Sequence, residues 1–424
     1  MNAEGNAKAA TVSRFVKRML AIPLHAAHYL LGKASNYRRS AQLAESATAL
    51  AIPSQTLRRI RHELAAQLRR DASLPQETAS IQPIAAEEQS LVRAIAAETE
   101  RMNRNNVTRT QAYYELYSRH PELHWALLAH MVSRNGGWNM TDLRGELLPR
   151  LLTDDRLRMS FAFLERANSF IFHDAYPQLL LYEASKSHGK SLFHLLPLFR
   201  VSAFMSPIWD AFWRDRCSEL LTASLIINEQ HYIEDRVVRS EPFASMLNSV
   251  PYRAQTWLQL NVLAFPYTSS LPHPRLAGRV LEHFANLQER IGIGMQLYAI
   301  LFGVPDIREG VLKFASSTPH TGSRADYWPQ LFAPERPSSP EKPYAEKLNG
   351  CSLLPGAARL CSPKLADAWP DTPFDSPPRY DWFDSLTVME YYDDLTVPHA
   401  FEITNEACFA LNKIELAVLT DQLL

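Results

Sequence analysis

The chain has 424 residues, 46% of them hydrophobic and 21% charged, enough apolar material for one large core or two ordinary ones and too much for a generally disordered protein. Its longest apolar runs, MLAIPLHAAHYLL near the start and LLTASLII from Leu220, are broken by histidine, proline or polar residues short of the ~18 residues a membrane span needs, which argues against a transmembrane helix. The net charge of −1 conceals a polarised chain: residues 1–70 hold 12 Lys+Arg against 3 Asp+Glu, residues 365–424 hold 2 against 12.

The basic residues at the start precede an apolar stretch, but His25 and His28 sit inside it and no small-residue cleavage site follows, so a cytoplasmic protein is expected. SQTLRRIRHELAAQLRR, from Ser54, spaces Leu57, Ile60, Leu64 and Leu68 at helical intervals and turns its arginines to other faces, a basic amphipathic helix. The polar, proline-containing residues 71–88 read as a linker, which closes a basic arm over 1–88.

A helical core is expected over 89–315. A helix is predicted to begin at His120, with Pro121 in its first turn, and to stop at Gly136-Gly137, after which Thr141 caps the next. TDDRLRMSFAFLERANSFIF carries Leu157, Phe161, Leu164, Asn168 and Ile171 on one stripe, and His173-Asp174 with Pro177 marks a break and restart. ASKSHGKS is a relaxed phosphate-loop match, but Gly189 is explained as well by a helix C-cap. From His273 a long helical stripe is predicted through Leu276, Val280, Phe284, Leu287, Ile291, Met295, Tyr298 and Phe302. Thirteen of the 28 prolines fall between 315 and 400, mixed with aromatics, so extended loops wrapped over the helices are expected in 316–424, before helix or short strand returns in FEITNEACFALNKIELAVL. The fold class is therefore mainly α, a multi-helix globular core with an irregular, proline- and aromatic-rich C-terminal section packed on it.

The blocks HPELHWALLAHMVSRNGGWNMTDL, SLFHLLPLFRVSAFMSPIW, LIINEQHYIEDRVV, HTGSRADYWPQLF, SPPRYDWF and DDLTVPHAFEITNEACF run from about Arg109 to near Leu416. They resemble a bacterial family known only as a domain of unknown function. The resemblance implies no activity, cofactor or catalytic set, and the basic stretch before residue 90 plays no part in it.

Candidate chemistry has to come from individual residues. Helical projection puts His124 among Leu127, Leu128 and Met131 on a buried face and His130 with Arg134 in an exposed sector. His124 is then a satisfied core histidine or, alternatively, a ligand or acid/base group. Glu229 shares a stripe with Ile226, Ile233 and Val237, where an ionised carboxylate has to be paired or protonated. Glu229, His231 and Glu234 could join His124 around a metal, although no H-E-x-x-H pattern is present and the four cysteines have no metal-binding spacing; the cysteines read as reduced, packed thiols. Arg134, Trp138 and Asn139 lie where a helix N-terminus could receive an anion, and Ser323 and Arg324 sit on a loop suited to the same role. Two functions compete. One is binding of a small anionic ligand in a polar pocket formed by His124, Arg134, Trp138, Asn139, Glu229, His231, Ser323 and Arg324. The other is contact with an anionic membrane surface or a protein through Arg58, Arg59, Arg61, Arg69 and Arg70, with nucleic acid ranked lower because aromatics are not interleaved with those arginines. No cofactor or reaction is specified by either.

Overall fold

The computed structural model describes residues 22–73, 85–248, 262–269, 273–281, 283–336, 343–392 and 395–422. Most of the expected linker, residues 74–84, lies outside them. The fold is mainly α. Its arm consists of α1 (Ile22–Ala44) and α2 (Ser54–Ser73). The α2 stripe seats Ile60 and Leu64 in the core at 0% exposure, against α7 (Met205–Asp215). α3 (Ala86–Met102) leads into α4 (Asn106–Arg119), whose start is fixed by Asn105: its side chain accepts from the Thr108 amide at 3.1 Å while its own amide donates to Thr108 Oγ1 at 3.2 Å.

The central element is α5 (His124–Asp142), packed by α4, by α6 (Asp154–His188), by α8 (Ser218–Ile233), by α10 (Leu287–Gly303) and by strand β1 (Val262–Tyr267). It corrects the expected start and stop. The chain from His120 to Leu123 is turn and extended, and the helix begins at His124 and runs straight through Gly136-Gly137. The second glycine is there for close approach: a Cβ on Gly137 would lie 2.3 Å from Asn106 Oδ1 and 2.6 Å from His320 Nε2. Thr141, expected as a cap, lies inside the helix and donates to Gly322 O at 2.6 Å.

Two further expectations are overturned. α6 passes unbroken through His173, Asp174 and Pro177 for 35 residues. A proline in a helix interior costs about 3 kcal/mol, but Phe170, Phe172, Tyr176, Leu179, Leu181 and Tyr182 are all buried around it, and that packing outweighs the missing hydrogen bond. The helix does end at Gly189, at φ 65° in the left-handed region, which leaves no phosphate loop there. The helix drawn from His273 is instead strand β2 (Arg275–Val280), antiparallel to β1 with Ala264 opposite Gly278, and α10 starts only at Leu287, capped by Asn286. Here Leu276 and Ala277 have a long-range partner strand that a local helical spacing cannot reveal.

Beyond α11 (Pro305–Ser317) the chain is irregular, as expected, with two-residue strands β3 (Phe332–Ala333), β4 (Leu348–Asn349), β5 (Ser352–Leu353) and β6 (Leu360–Cys361), the one-turn α12 (Leu365–Ala368), and finally α13 (Thr404–Asp421). α13 packs on α1, where Asn405 Nδ2 donates to Gly32 O and Asn36 Oδ1, and Ser40 Oγ accepts from the amides of Phe401 and Glu402. The basic and acidic ends of the chain thus meet through amides, a hydroxyl and the Glu406 carboxylate, which accepts from Asn36. A disulfide joins Cys351, in the β4–β5 turn, to Cys408 on α13, so the expectation of four reduced thiols is corrected; spacing gave no sign of it because the two are 57 residues apart. Cys217 and Cys361 are free thiols. Among the described residues no helix is long and apolar enough to cross a membrane.

Candidate functional site

α5 is buried on nearly every side, and this is what makes it the spine of a site. Trp125, Leu127, His130, Arg134 and Trp138 are all at or below 3% exposure. Between the partly buried ends of the helix the exceptions, Ala129, Val132, Gly136 and Asn139, recur at helical spacing and line a cavity of about 330 Å³. From Trp125 to Asp142 the α5 residues that line it span roughly 25 Å at the helical rise of about 1.5 Å per residue. The cavity therefore runs along most of the length of α5. Its other walls are Leu164, Ala167 and Ile171 of α6, Ile226 of α8, Val262 to Ala264 of β1, Ile293 and Leu297 of α10, and Ala407, Ala410, Leu411 and Ile414 of α13. The lining is predominantly aliphatic and aromatic, with Ser133, Asn135, Glu146, Ser160 and Asn168 among it and a charged cluster towards each end of α5.

Near the start of α5, Trp125 Nε1 donates to Glu229 Oε2 at 3.1 Å and Gln230 Nε2 donates to Glu229 Oε1 at 3.2 Å. Burial pushes the Glu229 carboxyl up to about 8, against the pull of these two neutral donors, and the charge of Asp174 adds to the rise. Gln230 Oε1 accepts from Arg290 Nε at 2.9 Å, and the same guanidinium donates to Phe284 O at 2.6 Å and pairs with Glu234. Near the end of α5, Arg324 clasps Asp142 through Nε at 2.9 and 2.7 Å, donates to Asn139 Oδ1 at 3.1 Å and meets the Tyr327 hydroxyl. The Asp142 carboxylate beside it, with the Tyr327 hydroxyl, holds the Arg324 guanidinium above its ordinary value against desolvation. Each arginine of the lining is thus engaged by the protein's own acceptors.

A second polar network joins α5 to α4 and the 320s loop. His320 Nε2 meets Asn106 Oδ1 at 2.9 Å, and its Nδ1 stands 3.5 Å from Asp326 Oδ2. Asn106 Nδ2 donates to Ser133 O at 2.8 Å, and Asp326 accepts from the Thr321 amide and hydroxyl. Burial lowers His320 to about 4 and keeps it neutral. The arrangement binds α4, α5 and the 320s loop together.

The structure divides the eight residues chosen from sequence. Asn139, Glu229 and Arg324 line the cavity. His124 does not: its Nδ1 meets the Tyr298 hydroxyl at 3.0 Å and its ring stacks on Phe302 at 3.9 Å, half-buried and neutral, with burial lowering it to about 4. The projected contrast of His124 and His130 is reversed, since His130 is 3% exposed and meets Thr110 O at 2.8 Å. A single apolar face is the wrong assumption for a helix surrounded by others. Arg134 is fully buried, donating to Thr318 O at 2.6 Å over the Phe314 ring, and Trp138 reaches Asp326 Oδ2 at 3.5 Å from full burial. α5 is continuous from His124, so Arg134, Trp138 and Asn139 lie in its later turns and not at its N-terminus, where an anion was expected. His231 stacks on Trp382 at 4.4 Å, and Ser323, fully buried, caps the turn of its own loop by accepting from the Ala325 amide at 3.1 Å. The metal grouping of His124, Glu229, His231 and Glu234 is not assembled, for each has a different partner, and among the described residues no three His, Cys, Asp or Glu side chains are grouped to hold an ion. In the arm, Arg59 pairs with Asp215, while Arg58, Arg61, Arg69 and Arg70 are exposed.

Sequence reasoning missed Trp125, Gln230 and Arg290. Arg290 carried a usable signal: it is flanked by the buried Ile291 and Ile293 and has no carboxylate four residues away on its own helix, so its partner had to come from elsewhere.

No solved structure matches the chain. A Bacillus subtilis (strain 168) protein, "Uncharacterized protein YppC", is 36% identical over 324 residues, 75% of this chain and 92% of that relative. The family model "Protein of unknown function (DUF2515)" matches residues 101–407, which include the whole of α5 and the cavity walls as far as the first turn of α13. The chain belongs to this family of proteins of unknown function.

Proposed function

We propose that the protein binds a small, mostly apolar molecule with a single extended chain, held along α5 in the cavity. The observation that carries this reading is the shape and lining of that cavity: about 330 Å³, inside the range of about 300–1,000 Å³ usual for ligand sites, drawn out along one helix and walled by aliphatic side chains. Close packing is the rule in protein interiors, and a void of this size left empty forgoes the dispersion contacts of its lining. The small anion expected from the sequence is a weaker candidate, because Arg290 and Arg324 are both occupied by Glu234 and Asp142. The cytoplasm stays part of the proposal; there Cys351 and Cys408 would be held largely as thiols, 5.1 Å apart at their Cα atoms and able to pair on oxidation.

The test is displacement of the neutral fluorophore N-phenyl-1-naphthylamine by straight-chain alkan-1-ols of increasing length. Affinity should rise about fourfold per added methylene, the equivalent of about 0.8 kcal/mol, and then level off when the chain fills the cavity. Ala129→Phe, and independently Ala167→Phe, should fill the lining and abolish saturable binding with the helical circular dichroism unchanged. Absence of chain-length dependence, or undiminished binding in whichever filled variant folds, overturns the proposal.

A further inference from the structure

We infer that the polar end of the bound molecule is a primary ammonium group seated on the Glu229 carboxylate, so that the ligand class is a long-chain amine. This deepens the reading just given and rests on it. Among the described residues, Glu229 is the acidic group of the cavity lining with no cation paired to it. Asp142 has Arg324, and Glu146 has Lys347 at 3.4 Å, whereas the two partners of Glu229 are an indole N–H and an amide N–H, both neutral. It lines the cavity beside Trp125 of α5 and Ile226 and Gln230 of α8. Each carboxylate oxygen accepts one hydrogen bond from the protein, which leaves lone pairs for a further donor. An ammonium group supplies both what is missing there, a positive charge and N–H donors, and a charge-assisted bond in a water-poor cavity is stronger than a neutral one. A carboxylate ligand meets the opposite situation, as both lining guanidiniums are already clasped by acceptors.

The charge balance has a measurable consequence. With its carboxyl pushed up to about 8 by burial, empty Glu229 carries a proton at neutral pH. A free alkylamine carries one too. Docking the ammonium on the carboxylate therefore releases one proton from the Glu229 oxygen to solvent, and affinity rises with pH until that group is ionised in the empty protein. The other titratable groups around it are Asp174 on α6 and Tyr113 on α4, while Arg290 on α10 reaches it only through Gln230. Asp174 is fixed by Asn228 and Gln178 and faces away from the lining.

The experiment compares decylamine, decan-1-ol and decanoate by isothermal titration calorimetry against the full chain and against Glu229→Gln. Decylamine should bind at least tenfold more tightly than decan-1-ol, release close to one proton, and gain about tenfold in affinity from pH 6 to pH 7, a slope decan-1-ol should lack. Glu229→Gln should erase the preference, the proton release and the pH slope of decylamine binding. Equal binding of amine and alcohol, tighter binding of decanoate, or a preference that survives Glu229→Gln overturns the amine assignment and leaves the chain-binding reading standing. If none of the three binds, the cavity reading falls with it. Should Glu229→Gln fail to fold, the proton release and pH slope of the unaltered chain decide alone, and their absence overturns the assignment.

Discussion

Replacing Gly137 with alanine should destabilise the protein, whereas the same change one residue earlier should stabilise it. Both glycines lie inside α5, where glycine costs up to about 1 kcal/mol relative to alanine. At Gly136 the new methyl carbon finds Asn168 at 3.4 Å, ordinary contact, so the propensity gain survives. At Gly137 it would sit 2.3 Å from Asn106 Oδ1 and 2.6 Å from His320 Nε2. Neither side chain can step aside cheaply: Asn106 is fully buried and bonded to Ser133 O and Oγ, and His320 is flanked by Asp326. Moving Asn106 forfeits three hydrogen bonds at about 1 kcal/mol each, and overpacking adds about 1–3 kcal/mol. After the propensity gain the net loss comes to about 3–5 kcal/mol. Urea denaturation of the two variants beside the unaltered chain measures both signs in one experiment. A Gly137→Ala protein as stable as the parent, or a Gly136→Ala protein equally weakened, would show that the close approach to α4 and the 320s loop is not why a glycine stands at 137.

Two other outcomes follow from groups already described. Removing the cross-link with the Cys351→Ser, Cys408→Ser pair should lower the stability of the oxidised protein by up to about 4 kcal/mol, the chain-entropy value for closing 57 residues; a denaturation midpoint equal to that of the unaltered oxidised chain would contradict it. Burial lifts Asp174 to about 7, opposed by bonds from Asn228 and Gln178 and by the charge of Arg236, with Asp381 adding to the rise. Its unfolded counterpart ionises near 4, so below pH 4 both states hold the proton and nothing is lost. As the pH climbs towards 7 only the unfolded state ionises and stability falls, by about 4 kcal/mol in all, of which about 2–3 accrue between pH 5 and pH 8. Asp174→Asn should lack that fall, measured as the difference between the two proteins' unfolding free energies at those two pH values, and parallel profiles would refute the assignment.

What could be read from the residues in order were features whose causes are local. The Leu57, Ile60, Leu64 and Leu68 stripe needs only helical geometry, and Gly189 as a helix end needs only a left-handed residue. Glu229 was placed facing inward for the same reason, since Ile226 and Ile233 flank it at helical spacing. Gly137 was misread because its explanation, His320, lies 183 residues further on. Arg275 to Val280 fit a helical stripe as well as a strand, and the partner that decides between them, β1, is known only in three dimensions. The cavity could not be seen at all: it is the space left between α5, α6, α8, α10, β1 and α13, and no single stretch of chain contains it.

The last helix has a bearing on how the cavity comes to be walled. Ala407, Ala410, Leu411 and Ile414 of α13 close one side of a chamber whose remaining sides are built from residues synthesised earlier. Because that side is contributed by a single helix far along the sequence, removing the chain from Thr404 onward would strip away one wall and leave the cavity an open gutter between α5, α6, α8 and α10.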